Sequence, residues 1–174
     1  LICFIIHAIR HKGTKDRYNI SPLTNGILAG LVSITAGCNG VEPYGALLIG
    51  IIGGFVYYII SNLMIKFKLD DPLDAFAVHG GCGAWGVIAV SFFDKSKGIF
   101  YGHNADLLGE QLLGVFVISL WTFFGTAIIF GVLNNLNLLR ISVEEEEEGI
   151  DNVEHGGQAY HITSGNDIEG GVKN

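Results

Sequence analysis

The chain has 174 residues, 49% of them hydrophobic and only 16% charged, against about 25% charged in ordinary soluble domains. That apolar content excludes a disordered, acidic solvating protein. The formal charge of −7 is uneven: residues 141–174 hold nine of the 17 acidic groups and one of the ten basic ones, so the rest is close to neutral, with no basic patch for nucleic acid.

Four stretches lack Asp, Glu, Lys and Arg: Tyr18 to Val41, Pro43 to Ile65, Ala75 to Phe93 and Gln111 to Leu139. A helix needs about 20 residues to cross a hydrocarbon core about 30 Å thick, and soluble helices keep a polar face. The runs do not alternate apolar with polar residues, as barrel strands do, and backbone in lipid must satisfy its own polar groups. The reading is therefore all-α, a polytopic transmembrane helical bundle. Four complete helices are predicted at about 21–41, 43–65, 72–93 and 109–139. Leu1 to Ile9 reads as the end of a further helix, as if the chain were the C-terminal piece of something longer. Residues 1–140 make the transmembrane region and 141–174 an acidic tail, whose run Glu144 to Glu148 reads as solvated and mobile.

Alternate connections carry seven basic residues on one side (10, 12, 15, 17, 66, 68 and 140) and two on the other (95 and 97). The excess of Lys and Arg on cytoplasmic loops places the first, third and last connections, and hence the tail, in the cytoplasm. Gly26-x-x-x-Gly30 and Gly50-x-x-x-Gly54 read as small-residue spacings for close helix packing. Cys3, Cys38 and Cys82 stand far apart with no CxxC spacing and read as small hydrophobes. No cofactor and no metal site is expected.

His79 is the residue that asks for a function. It lies inside the third complete span, where ionisable groups are costly, usually face a cavity and mark a pathway. On a regular helix its neighbours are Ala75, Phe76, Cys82 and Gly83. That face is small and apolar, so a partner must come from another helix. Asp70-Asp71-Pro72-Leu73-Asp74 opens the same helix, with Pro72 in its first turn and Asp70, Asp71 and Asp74 at its positive end. Capping accounts for all three carboxylates; the alternative is a negative mouth to a cation pathway.

The segment Asp70-Asp71-Pro72-Leu73-Asp74-Ala75-Phe76-Ala77-Val78-His79-Gly80-Gly81-Cys82-Gly83-Ala84-Trp85-Gly86 resembles the signature of the ammonium transporter (Amt/Mep) family, plant-type members above all. Ile34-Thr35-Ala36-Gly37-Cys38, Phe100-Tyr101-Gly102, Leu112-Leu113-Gly114, Leu139-Arg140-Ile141-Ser142, Gly149-Ile150-Asp151, His155-Gly156-Gly157 and Tyr160 match it in the same order. The related Rh proteins differ around their histidine.

The resemblance implies a trimer, homomeric or built with related chains, of eleven-helix subunits. Each has one pore and a cytoplasmic C-terminus, in a multi-pass protein of the plasma membrane. This chain would be the C-terminal half. Family members pass ammonium or ammonia through a narrow apolar pore holding two histidines. His79 matches the second, Ala75 lies beside it, and Asp74 and Asp71 fall at the cytoplasmic pore mouth. This half alone is then expected to be inactive. Gly149, Asp151, His155, Gly156 and Tyr160 match the tail that packs on a neighbouring subunit and controls its pore. Val153 stands where plant-type members carry a regulatory threonine, which sets that control in doubt.

Rival classes fit less well. A haem-bearing redox subunit needs a second axial ligand in a span, and only His79 is available there. An intramembrane enzyme needs a nucleophile paired with a base, and no such pair is visible. A sensor on the same scaffold would call for a fused signalling domain after the tail.

Overall fold

The computed structural model describes residues 1–149, all of whose regular elements are helical. They are α1 (Ile2–Arg10), α2 (Ser21–Thr35), α3 (Pro43–Lys66), α4 (Cys82–Phe93), α5 (Asp106–Asn135) and α6 (Val143–Glu148). A π-helical turn, Phe76–Gly81, leads into α4, and short 3₁₀ turns cover Lys15–Tyr18 and Ile99–Tyr101. Among the described residues no strand forms; one isolated antiparallel bridge joins Val41 to Asp94. Among the described residues three segments are long and apolar enough to cross a membrane: Pro43–Lys66, Phe76–Phe93 and Asp106–Asn135. The chain is thus an all-α fold of polytopic membrane type.

Proline and glycine set the helix ends. Pro22 and Pro43 occupy first-turn positions of α2 and α3, where the missing N–H costs nothing. The helix predicted over 21–41 stops at Thr35, and residues 36–40 form successive turns. Its 15 residues span only about 22 Å. Gly37 and Gly40 are poor helix formers, and this corner is needed elsewhere. The Lys95 N–H donates to the Gly40 carbonyl at 2.9 Å, and a Cβ on Gly40 would overlap the Asp94 carboxylate. The helix predicted over 72–93 also begins late. Pro72 lies in a turn closed by the Asp74 N–H on the Asp71 carbonyl (3.1 Å), and helical residues start at Ala75.

The chain divides into two units, residues 1–120 and 121–174, and the packed core belongs to the first. One cluster comprises Cys3, Ala29, Tyr57, Ala77, Val78 and Cys82; a second holds Ile49, Ala89 and Phe93. Small side chains dominate, as they do where helices approach closely in lipid. Of the two GxxxG pairs, only Gly26 and Gly54 sit tightly, both against Cys3. Gly30 and Gly50 have no neighbour there, and all four line an open apolar groove of about 340 Å³.

The tightest junction surrounds Ser33, 1% exposed, whose hydroxyl donates to the Ala29 carbonyl at 2.7 Å. A Cβ on Gly53 would overlap that hydroxyl, and one on Gly86 would meet the Ser33 backbone oxygen at 2.5 Å and carbonyl carbon at 3.1 Å. Backbone cannot rotate aside as a side chain can. Gly86→Ala therefore forces α4 off α2 and costs about 1–3 kcal/mol, read as a lower melting temperature of the detergent-solubilised protein. Gly30→Ala, facing open space, leaves it unchanged.

In the second unit, α6 holds the glutamate run read above as mobile. Ser142 and Glu145 form a reciprocal capping box: the Glu145 N–H donates to Ser142 Oγ (3.2 Å) and the Ser142 N–H to Glu145 Oε2 (3.0 Å). The Ser142 backbone N–H and then its hydroxyl hold the Glu145 carboxyl below the usual carboxylate range. Such a box satisfies two otherwise orphan donors, which explains why a polyglutamate stretch starts a helix here.

Candidate functional site

His79 sits on the π-helical turn. The Cys82 N–H reaches back to the Ala77 carbonyl, the i→i−5 pattern of a π-helix, and such turns concentrate at functional sites. The wider turn changes which residues share a face. Cys82, predicted beside His79, is instead fully buried and its thiol donates to the Gly53 carbonyl at 3.4 Å. Ala77 and Val78 are buried too, while Ala75, Phe76, His79 and Gly80 are exposed. The Phe76 ring lies over Gly80, where a Cβ would meet it at 3.1 Å. Among the described residues no side chain hydrogen-bonds the His79 ring.

The two aspartates below this turn have separate tasks. Asp71 caps the helix: its carboxylate accepts the Ala75 N–H at 2.8 Å and the Phe76 N–H at 2.9 Å, satisfying donors that a helix start leaves free. Asp74 caps nothing with its side chain. Its backbone is left-handed at φ +57°, a conformation Asp and Asn tolerate better than most residues. Its Oδ2 accepts from the Tyr57 hydroxyl (2.7 Å) and Asn25 Nδ2 (3.3 Å), and Oδ1 from the Ser61 hydroxyl (2.7 Å). Asn25 also donates to the Tyr57 oxygen at 3.3 Å.

The Asp74 clamp thus ties the entry of the histidine turn to α2 and α3. Each hydrogen bond to a carboxylate is worth about 1.5–3 kcal/mol, ample to offset a left-handed residue at roughly 1–2 kcal/mol. Capping covers Asp71, then, while Asp74 serves a tertiary purpose. Sequence reasoning did not single out Asn25, Tyr57 and Ser61. Their signal was available, since polar groups in otherwise charge-free spans need partners.

Of the tail residues, Gly149 is described. Its φ of +85° and ψ of 129° lie where side chains are strained and glycine is at ease, and its N–H donates to the Glu145 carbonyl at 3.0 Å. Asp151, Val153, His155, Gly156 and Tyr160 lie outside the described residues.

Comparison with known proteins gives one answer. The sequence model of the Ammonium Transporter Family matches residues 2–160. "Ammonium transporter 1 member 2" of Oryza sativa subsp. japonica is 40% identical over 156 residues, covering 82% of this chain and 32% of that protein. Among solved structures, a protein described as "Sensor Amt Protein" superposes with a TM-score of 0.73 at 34% identity, over 88% of this chain and 38% of the other. Saccharomyces cerevisiae Mep2 does so with a TM-score of 0.72 at 25% identity, over 82% and 34%. The chain spans about a third of the length of these relatives. With a family signature running from the first helix past the last, and the helical fold of solved members, this chain belongs to the ammonium transporter family, resembling its plant-type members.

Proposed function

We propose that this chain is the C-terminal part of an ammonium-conducting membrane protein and that His79 lines its pore. The observation that carries this reading is an exposed imidazole with no partner among the described residues, held on a π-helical turn within an apolar span. A polar ring there costs free energy unless it meets a second group or a substrate. The partner we infer is a second histidine from the part of the protein that precedes this chain, as in transporters built from inverted repeats around a central site.

A bare ammonium ion is expensive in such a pore, because desolvating a charge costs many kcal/mol. Losing its proton to an imidazole leaves neutral ammonia, far cheaper to pass, and histidine exchanges protons near neutral pH. The nitrogen then crosses with or without the released proton. Potassium has no proton to give up. Asp74 and Asp71 belong, in this reading, to the cytoplasmic mouth, with Ala75 on the pore side of the helix. Trimeric assembly, the plasma membrane location, the cytoplasmic tail over 141–174 and its regulatory role are parts of the same proposal.

The full-length protein should restore growth on low ammonium to yeast lacking its own ammonium transporters. Liposomes holding only this 174-residue chain should show no flux, since it supplies one of the two pore histidines. Correct expression at the cell surface with neither growth nor methylammonium uptake would refute transport. It would favour the second reading, an ammonium sensor on the same scaffold, which the similarity to a structure described as a sensor supports.

A further inference from the structure

The first connection holds a group of side chains that conduction does not use. His7 and His11 stand four residues apart at the end of α1, their rings stacked with centroids 4.3 Å apart and planes 18° apart. Asp16, in the 3₁₀ turn that follows, folds back onto both: its Oδ2 is 3.3 Å from His7 Nε2 and 3.6 Å from His11 Nδ1. The three ligand atoms lie within 4.8 Å of one another. Two imidazole nitrogens and one carboxylate oxygen form a donor set suited to a first-row divalent cation such as zinc. With ligands about 2.0 Å from the metal, the edge of a tetrahedron is about 3.3 Å, and the two edges from the carboxylate to the imidazoles, 3.3 and 3.6 Å, are close to that.

We propose that His7, His11 and Asp16 form a binding site for a divalent transition cation, Zn²⁺ being the probe, with a fourth position left to water. Two contacts must give way or stay. His7 Nε2 also donates a 2.8 Å hydrogen bond to the Asp16 carbonyl; metal binding breaks it, the ring takes the other tautomer by exchanging that proton through solvent, and the lone pair freed on Nε2 goes to the metal. The bond from Asn19 Nδ2 to Asp16 Oδ1 (3.0 Å) remains and holds the carboxylate in place, as outer-shell partners do. Arg10, Lys12, Lys15 and Arg17 oppose the cation's charge, so binding is moderate. Arg10 is already engaged by the Tyr58 hydroxyl and Asn62 Oδ1, each at 2.8 Å. Bound metal would staple the end of α1 to the turn carrying Lys15 and Arg17.

The test uses the purified full-length protein with any histidine tag removed. Zinc is titrated calorimetrically, and backbone hydrogen exchange is followed over residues 11–19. We expect one zinc per chain that is lost, or weakened at least about tenfold, in His11→Ala and Asp16→Asn, together with slower exchange of this segment in wild type alone. His103→Ala, on another connection, should change neither. Zinc stoichiometry and affinity that stay at wild-type values in both site variants, or no zinc uptake at all, would overturn the site.

Discussion

In the full-length protein, assembled as the trimer proposed above, His79→Ala is expected to lower ammonium flux at least about tenfold while assembly stays normal. The factor follows from losing one hydrogen bond to the passing ammonia, about 1.5 kcal/mol, before any loss of proton transfer. Folding should tolerate the change, because the imidazole is exposed and hydrogen-bonds to no described side chain, whereas its neighbours Ala77 and Val78 belong to the core. His79→Asp should behave differently. A carboxylate can hold a cation without taking its proton, so current should persist and potassium should enter. Both variants are checked by stopped-flow uptake and reversal potentials in liposomes of defined trimer content. An Ala variant with wild-type flux and ion selectivity would remove His79 from the conduction path.

The second large effect is expected at Gly149. Its positive φ and extended ψ make Gly149→Asp strained by about 1–3 kcal/mol, and the added carboxylate follows five glutamates. If the tail docks on a neighbouring subunit, as proposed above, with that subunit's basic first connection, Arg10 to Arg17, as counter-surface, the change should turn it away. Surface ion pairs supply only up to about 1 kcal/mol each, so a strained hinge can outweigh them. If each tail controls the pore of a neighbour, a minority of mutant subunits inhibits the whole trimer. Co-expression at known ratios, with flux measured per trimer, reads this directly. Flux that falls only in proportion to the mutant share would establish independent pores.

Helices over the long apolar runs were legible because composition and pattern together demand them: a charge-free stretch of about 20 residues that does not alternate as a barrel strand does satisfies its backbone in lipid as a helix. Where helices stop was less legible. Gly37 and Gly40 end α2, while Gly53 and Gly54 lie unbroken within α3; the difference lies in what each glycine touches, which no local pattern records. The π-helical turn escaped for a related reason. Its only local trace is Gly80-Gly81, and the shift it causes moves Cys82 from the histidine's face into the core. Asp74 read as a capping residue because its role depends on Asn25, Tyr57 and Ser61, residues 49, 17 and 13 positions away. The His7–His11–Asp16 group went unnoticed because two of its members sit at a helix end and the third in a loop, outside any contiguous motif.

One feature of α5 reaches beyond this chain. The helix runs for 30 residues and buries none of them, so no packed neighbour within the described residues sets its length. Its charge-free part, residues 111–135, extends about 37 Å, beyond an average hydrocarbon thickness of about 30 Å. The excess must be taken up by tilting, by leaving the ends among the headgroups, or by thickening the bilayer locally, each costing fractions of a kcal/mol per Å. Thick, sterol-rich membranes relieve that mismatch and thin ones aggravate it. Bilayer thickness thereby becomes a physical variable acting on the helix that leads directly into the tail.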